Sequence, residues 1–303
     1  MKNREIGIYN KFNVTRTDGR DAPGEKHHGA QYFVLNISTD PFAIPALAAY
    51  AEACKSEYTT LATDIQNLIG NKLLASSEYI TVPEVTLPGG LVVPSFKVAK
   101  YLCSRGASDI PVSNATGAPW VEINYQDARD AADRAYLALI TETQALAIAF
   151  DICQQDINWT GGKVGEGDLF QGLRNDSVDE AQPATFVSED ETERRWHQLS
   201  NGEQIYDFAG NAFSWIFDDV QGDGNGLTTI IKADSISLTT APYPSRKKGM
   251  GWRPDGQCDW SGRALVRGGC WGSGSYAGAF VLGRGWPVRE GGDVGFRCTK
   301  PGL

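Results

Sequence analysis

Six large aromatic side chains, Trp252, Trp260, Trp271, Tyr276, Phe280 and Trp286, crowd between positions 252 and 286 of the chain. Side chains of this kind give large contact area at little entropic cost, which suits recognition better than bond-breaking. Some of them must serve as core, and an even split between core and contact is expected. They lie in a closing stretch bounded by Arg267-Gly-Gly-Cys-Trp271 and Val294-Gly-Phe-Arg297. The two bookends predict a fixed backbone, and the Gly-, Ser-, Ala- and Val-rich residues between them predict a surface that presents side chains. The plainer alternative is a glycine-rich coil at a domain end.

Other chemistries find thinner support. Histidine is limited to His27, His28 and His197, each expected at the surface because nothing nearby orients it. No H-E-x-x-H, zinc spacing or G-x-S-x-G elbow occurs. The six cysteines, Cys54, Cys103, Cys153, Cys258, Cys270 and Cys298, form no C-x-x-C pair, so reduced, buried thiols are expected. Cys258, Cys270 and Cys298 are the three expected to be able to meet. Gly161-Gly162-Lys163 lacks phosphate-loop spacing, and Val164 stands where a hydroxyl would ligate magnesium. Asp218, Asp219, Asp223 and Asn225 could supply oxygen ligands to calcium, although a solvated acidic turn explains them as well and no closing Glu follows.

At 303 residues the chain can hold one large domain, or a large and a small one. Its 34 glycines and 8 tryptophans point to a loop-rich α+β fold and away from a helix bundle. A net charge of −9 argues against a nucleic-acid partner, which requires a positive footprint. The Arg246-Lys247-Lys248 run is expected to be a solvated loop. The N-terminus has no apolar signal core and no apolar run reaches membrane-spanning length, so synthesis in a cytoplasm without membrane insertion is expected.

The elements that must position these residues follow from local pattern. Residues 1–30 predict an extended arm, Tyr32–Ile37 a strand, and Asp40-Pro41 the start of a helix continued by a second one from Thr59 to a stop at Gly70. Together these outline a first module over 1–75. From Tyr79 to Tyr101, short apolar runs separated by Pro and Gly predict strands. Asn124–Leu139 predicts a helix. Thr141 with Gln144 predicts a capping box opening another that runs to Cys153. Beyond Trp159 long loops alternate with short strands at Ile205-Tyr206, Ala212–Phe217, Thr228–Ile231, Leu265-Val266 and Gly295–Arg297.

Four of these segments, in order, carry a resemblance. Trp120–Ala128, Leu139–Ala147, Ile205-Tyr-Asp-Phe-Ala-Gly-Asn-Ala-Phe-Ser-Trp215, and Arg267-Gly-Gly-Cys-Trp271 with Gly295-Phe-Arg297 resemble the anchor motifs of formylglycine-generating-enzyme-like proteins of the C-type lectin fold. The resemblance runs from about Tyr79 to Lys300 and implies that fold for a domain over 76–303. Oxidase members of the family place two cysteines shortly after the closing Gly-Gly. Here those places hold Ser273 and Gly278, so a copper-dependent oxidase is not expected.

The non-catalytic branch of the fold comprises the variable ligand-binding proteins of diversity-generating retroelements, including the phage major tropism determinant. The stretch from Lys11-Phe-Asn-Val-Thr-Arg-Thr-Asp-Gly19 to Glu57-Tyr58 is similar to modules that precede such domains in phage and prophage proteins. This branch implies a virion-surface receptor binder at a tail tip or fibre end. The first module would attach or trimerise it, with other virion proteins and a host-cell receptor as partners. Contact residues would be Ser273, Ser275, Tyr276, Phe280, Arg284, Trp286 and Arg289, while Arg267, Trp271, Phe296 and Arg297 would be structural. A capsid or tail decoration protein built on the same scaffold is the alternative. No cofactor is implied beyond the possible calcium.

Overall fold

The computed structural model describes residues 12–40, 42–106, 109–217, 222–223, 226–227, 241–243, 246–254 and 262–300. The first helix, α1 (Ala43–Cys54), opens where Asp40 accepts a hydrogen bond from the Phe42 N–H at 2.9 Å. Helix α2 (Thr59–Ser76) runs straight through Gly70 instead of stopping there. A mid-helix glycine costs only about 1 kcal/mol, and the burial of Ile65 and Ile69 beside it offsets that cost. Tyr32–Ile37, expected as a strand, is irregular: among the described residues no strand pairs with it, and alternation without a ladder does not hold a strand.

Sixteen strands follow among the described residues, all short. They are β1 (Tyr79–Val82), β2 (Val85–Thr86), β3 (Val92–Val93), β4 (Phe96–Ala99), β5 (Ser104–Arg105), β6 (Pro111–Val112), β7 (Ala138–Leu139), β8 (Trp196–Gln198), β9 (Gln204–Tyr206) and β10 (Phe213–Ile216). The series closes with β11 (Gly222–Asp223), β12 (Gly226–Leu227), β13 (Ala264–Gly268), β14 (Gly278–Gly285), β15 (Val294–Phe296) and β16 (Cys298–Thr299). One four-stranded sheet has the order β1-β4-β16-β7, and a second has β14-β13-β10-β15, with β10 and β15 parallel. The remaining strands form two-stranded pairs. The protein is thus a mixed α and β, loop-rich structure.

Helix α3 (Tyr125–Arg134) is capped by Asn124, whose side chain accepts from the Asp127 N–H at 2.9 Å, and it buries Tyr125, Ala128, Ala131 and Ala132 on one stripe. It ends five residues before the expected Leu139. Tyr136 turns into the left-handed region at φ 55°, and the N–H groups of Ala135 and Leu137 both return to the Ala132 carbonyl. This turn frees Ala138-Leu139 to join the first sheet. Helix α4 (Glu142–Cys153) carries both halves of the expected capping box. Gln144 N–H donates to Thr141 Oγ1 at 3.1 Å, and Thr141 N–H donates to Gln144 Oε1 at 3.0 Å. From Ala145 to Cys153 every residue of α4 is buried, Asp151 included, whose carboxylate accepts from the Ser200 N–H at 2.8 Å.

Side-chain alternation in the second sheet divides the core. Leu265, Phe280, Leu282 and Ile216 face α4, while Ala264, Val266, Trp215 and Val294 face the layer of α1, α2 and α3. Strand β14 is the longest described strand and is buried at seven of its eight positions. The middle of the closing stretch is therefore core framework, not the freely presented surface expected there. Its run Ala279-Phe-Val-Leu282 is apolar on both faces, which is the pattern of a strand covered on both sides.

One buried ion pair ties these parts together. Arg267 on β13 meets Glu142 in the first turn of α4, its Nε donating to Oε2 at 2.9 Å and its Nη2 to Oε1. The remaining guanidinium nitrogen donates to the carbonyls of Phe280 and Val281 at 3.3 and 3.0 Å. Arg297 performs a similar task for the first sheet, donating to the carbonyls of Ala99 and Tyr206 at 2.6 and 2.5 Å. Glu142→Ala strands the Arg267 charge in the core. It is expected to cost about 3–5 kcal/mol in urea unfolding, whereas replacing both partners with leucine should cost distinctly less.

Candidate functional site

Glycine spacing in β14 creates the most site-like feature of the structure. On the face turned away from α4, Val281, Gly283 and Gly285 lie beside Val266, Phe213, Trp215 and Val294. A Cβ at Gly285 would sit 2.6 Å from the Trp215 ring, and one at Gly283 would sit 3.0 Å from a Val266 methyl. Absent side chains at these two positions leave a groove of about 260 Å³ over an apolar floor. Trp252, Tyr276, Arg284 and Arg289 form its walls. A concave apolar floor with a few polar groups converging on it is the usual form of a ligand site.

The rim is held by backbone bonds. Ser273, Gly274, Ser275 and Tyr276 form a single 3-10 turn, and the Gly274 N–H donates to the Arg174 carbonyl at 2.7 Å. After β14 the Arg289 N–H returns to the Trp286 carbonyl at 2.9 Å. The N–H groups of Glu122 and Tyr125 fasten the following loop through the carbonyls of Gly291 and Pro287. Two aromatic rings are exposed here, Tyr276 of the groove wall at 48% and Trp286, which follows Gly285 in the chain, at 56%. The Arg246 guanidinium stacks over Tyr276 at 4.6 Å, and that of Arg263 lies on Trp286. Arg289 is paired with Asp293 at 2.6 Å.

Of the expected contact residues, Ser275, Tyr276, Arg284, Trp286 and Arg289 are exposed, and Tyr276, Arg284 and Arg289 line the groove. Phe280 does not belong with them. It is fully buried against Phe150 with ring centroids 5.5 Å apart, because its position in β14 points it toward α4. Ser273 turns inward, where its Oγ accepts from the Cys270 N–H at 2.9 Å and lies 3.3 Å from the Cys270 thiol. The bookend side chains Arg267, Phe296 and Arg297 are buried, while Trp271 is half-buried. Phe213, Trp215, Gly283, Gly285, Arg246 and Arg263 were not expected at a site. The period-two Gly283-x-Gly285 beside an apolar run was the one local signal for them.

The proposed calcium ligands Asp218, Asp219 and Asn225 lie outside the described residues, as do Cys258, Trp260 and the expected strand Thr228–Ile231. Asp223 falls in β11. Among the described residues no group of three or more His, Cys, Asp and Glu side chains is placed to hold a metal ion. Cys103, Cys270 and Cys298 are free, buried thiols, and burial pushes the Cys298 thiol pKa well up. His197, expected at the surface, is fully buried. Its Nε2 lies 2.8 Å from the Phe170 carbonyl, and burial lowers its pKa to about 4.

No family model matches the chain, and no curated protein matches it. Among solved structures it is similar to Treponema denticola variable protein 1, with 14% identity and a TM-score of 0.38 over 74% of this chain and 94% of that one. It is also similar to PvdO from Pseudomonas aeruginosa, at 13% identity and TM-score 0.37 over 74% and 94%, and to CarF, at 11% and 0.37 over 74% and 98%. Alignments this loose carry no residue role from those proteins to this one.

Two stability measurements separate core from rim. Phe280→Ala should lose about 3–5 kcal/mol, whereas Trp286→Ala should stay within about 0.5 kcal/mol of the parent. His197 makes stability depend on pH with a fixed sign. Its folded pKa is depressed, so its contribution is complete above the ordinary histidine range and is lost as pH falls from about 6.5 through about 4. His197→Gln should flatten that part of a stability-against-pH curve.

Proposed function

We propose that this chain is a non-catalytic display protein of the C-type-lectin-like class, which binds a host-cell receptor from the surface of a phage virion. The observation that carries the reading is the groove in the second sheet, with Tyr276 exposed on its wall and Trp286 exposed in the chain directly after the lining residue Gly285. Exposed aromatics beside a concave apolar floor are where binding energy concentrates. Here they stand on backbone fastened at both ends of β14, so little ordering entropy remains to be lost on binding. The four ordered motifs support the fold class. Ser273 and Gly278, at the places of the oxidase cysteines, support binding over turnover.

Residues 12–76 supply the attachment side of this reading. Phe33 and Phe42 are 78% and 73% exposed, and Tyr50, Tyr58, Leu61 and Leu68 are exposed around α1 and α2. Apolar surface concentrated in this way marks a protein contact. In this reading it serves a homotrimer and its seat on other virion proteins.

Labelled protein applied to a panel of bacterial cells tests the reading. Tyr276→Ala and Trp286→Ala should each weaken cell binding by roughly thirtyfold, the scale of a binding hot spot, with melting unchanged. Full binding by both variants would remove the groove from the proposal.

A further inference from the structure

The groove in the second sheet combines apolar surface with charges that are already engaged. Two charged side chains line it. Arg289 is paired with Asp293 at 2.6 Å, and Arg284 holds an interaction of its own. The indole N–H of Trp215, a fully buried ring of the floor, donates to the Ile123 carbonyl at 2.9 Å. An ionised ligand entering here would lose hydration and meet no free counter-ion, so the groove selects a neutral guest.

The edge of the sheet rules out one neutral guest, an added peptide strand. Along β14 the Phe280 N–H donates to the Met250 carbonyl and the Leu282 N–H to the Trp252 carbonyl, both at 3.0 Å. What stays open is the face of the strand, and glycine sets its shape. At Gly285 a Cβ would sit 2.6 Å from the Trp215 ring, so the indole edge takes that place. At Gly283 a Cβ would meet a Val266 methyl at 3.0 Å and a Phe213 ring carbon only at 3.9 Å, which leaves a strip of bare main chain beside aromatic edges. Tyr276 and Trp252 wall this strip. A planar ring fits such a slot, because aromatic rings prefer offset and edge-to-face neighbours. The space is sufficient: an apolar cavity of about 150 Å³ already takes up benzene, and the groove offers about 260 Å³.

We infer that the groove binds a single neutral aromatic ring. This deepens the display reading and rests on it. Saturation-transfer NMR titrations of the full chain test it with four probes: phenol, N-acetyltyrosinamide, cyclohexanol and benzoate. Phenol should bind roughly three- to tenfold more tightly than cyclohexanol, the margin of a ring-on-ring contact. Benzoate should bind at least roughly tenfold more weakly than phenol, and phenol affinity should not change with salt. Binding of phenol alone identifies a small-molecule guest; binding of N-acetyltyrosinamide as well identifies a side chain of a protein receptor. Gly283→Ala, which places a methyl on the floor, and Tyr276→Ala, which removes a wall, should each weaken phenol binding roughly threefold or more. Tyr276 is exposed, so its variant decides the matter even where a methyl at position 283 disturbs the sheet.

Equal binding of cyclohexanol would overturn the aromatic assignment, and equal binding of benzoate the neutral one. Failure of both phenol and N-acetyltyrosinamide, or full phenol binding by Tyr276→Ala, would overturn the proposal as a whole. If cell binding then persists and is still lost in Trp286→Ala, the display reading survives without it. If cell binding is absent as well, both readings fall.

Discussion

The contact between Arg267 and Glu142 organises this protein. A buried charge is tolerable only when every donor and acceptor around it is satisfied, and here one guanidinium meets a carboxylate and two main-chain carbonyls together. Those three attachments lie on α4 and β14 while the arginine itself sits on β13, so the position of one side chain fixes a helix relative to two strands. The face of the sheet toward α4 is thereby closed. The opposite face receives its floor at a set depth, and the groove lies in that second face, joined to the pair through the Val281 carbonyl.

Glycine acts at two separate levels in the same strand. At Gly278 the backbone, with φ 157°, passes within a Cβ's reach of Met250 and Gly251, so the position admits the covering segment 250–252. At Gly283 and Gly285 the missing side chains leave room for the Trp215 ring on one hand and for a ligand on the other. The first use makes the strand's edge safe, since a covered edge does not recruit foreign strands. The second makes its face receptive.

What could be read in the sequence was local. The capping box at Thr141 and Gln144 depends on residues three apart, and α4 begins where they say; α3 begins beside the expected Asn124, which the structure shows to be its cap. Helix ends were less legible. Tyr136 enters a left-handed conformation without the Gly or Asn that usually announces one, and Gly70 sits inside a helix that tertiary burial carries past it. The closing stretch misled for a different reason. Glycines that clear space beneath a strand look, in sequence, like glycines that loosen a loop. Residue type alone could not assign Phe280 to the core and Trp286 to the rim, because position in β14 decides the first and the end of that strand exposes the second. The groove itself gathers residues from Phe213 to Val294, a relation no local pattern encodes.

Strand β16 lies between β4 and β7, with Thr299 opposite both Val98 and Ala138. The centre of the first sheet is thus filled by Thr299, made 201 and 161 positions after its two partners Val98 and Ala138. During synthesis β4 and β7 have no common partner until that strand leaves the ribosome. Contacts this distant in sequence close late and slowly. Protection of the early half of the chain therefore falls to the helices α1, α2 and α3 and to whatever holds a nascent polypeptide apart from its neighbours. In this molecule β13 and β14, which carry much of the groove, and β16, which joins β4 to β7 in the other sheet, all fall between Ala264 and Thr299.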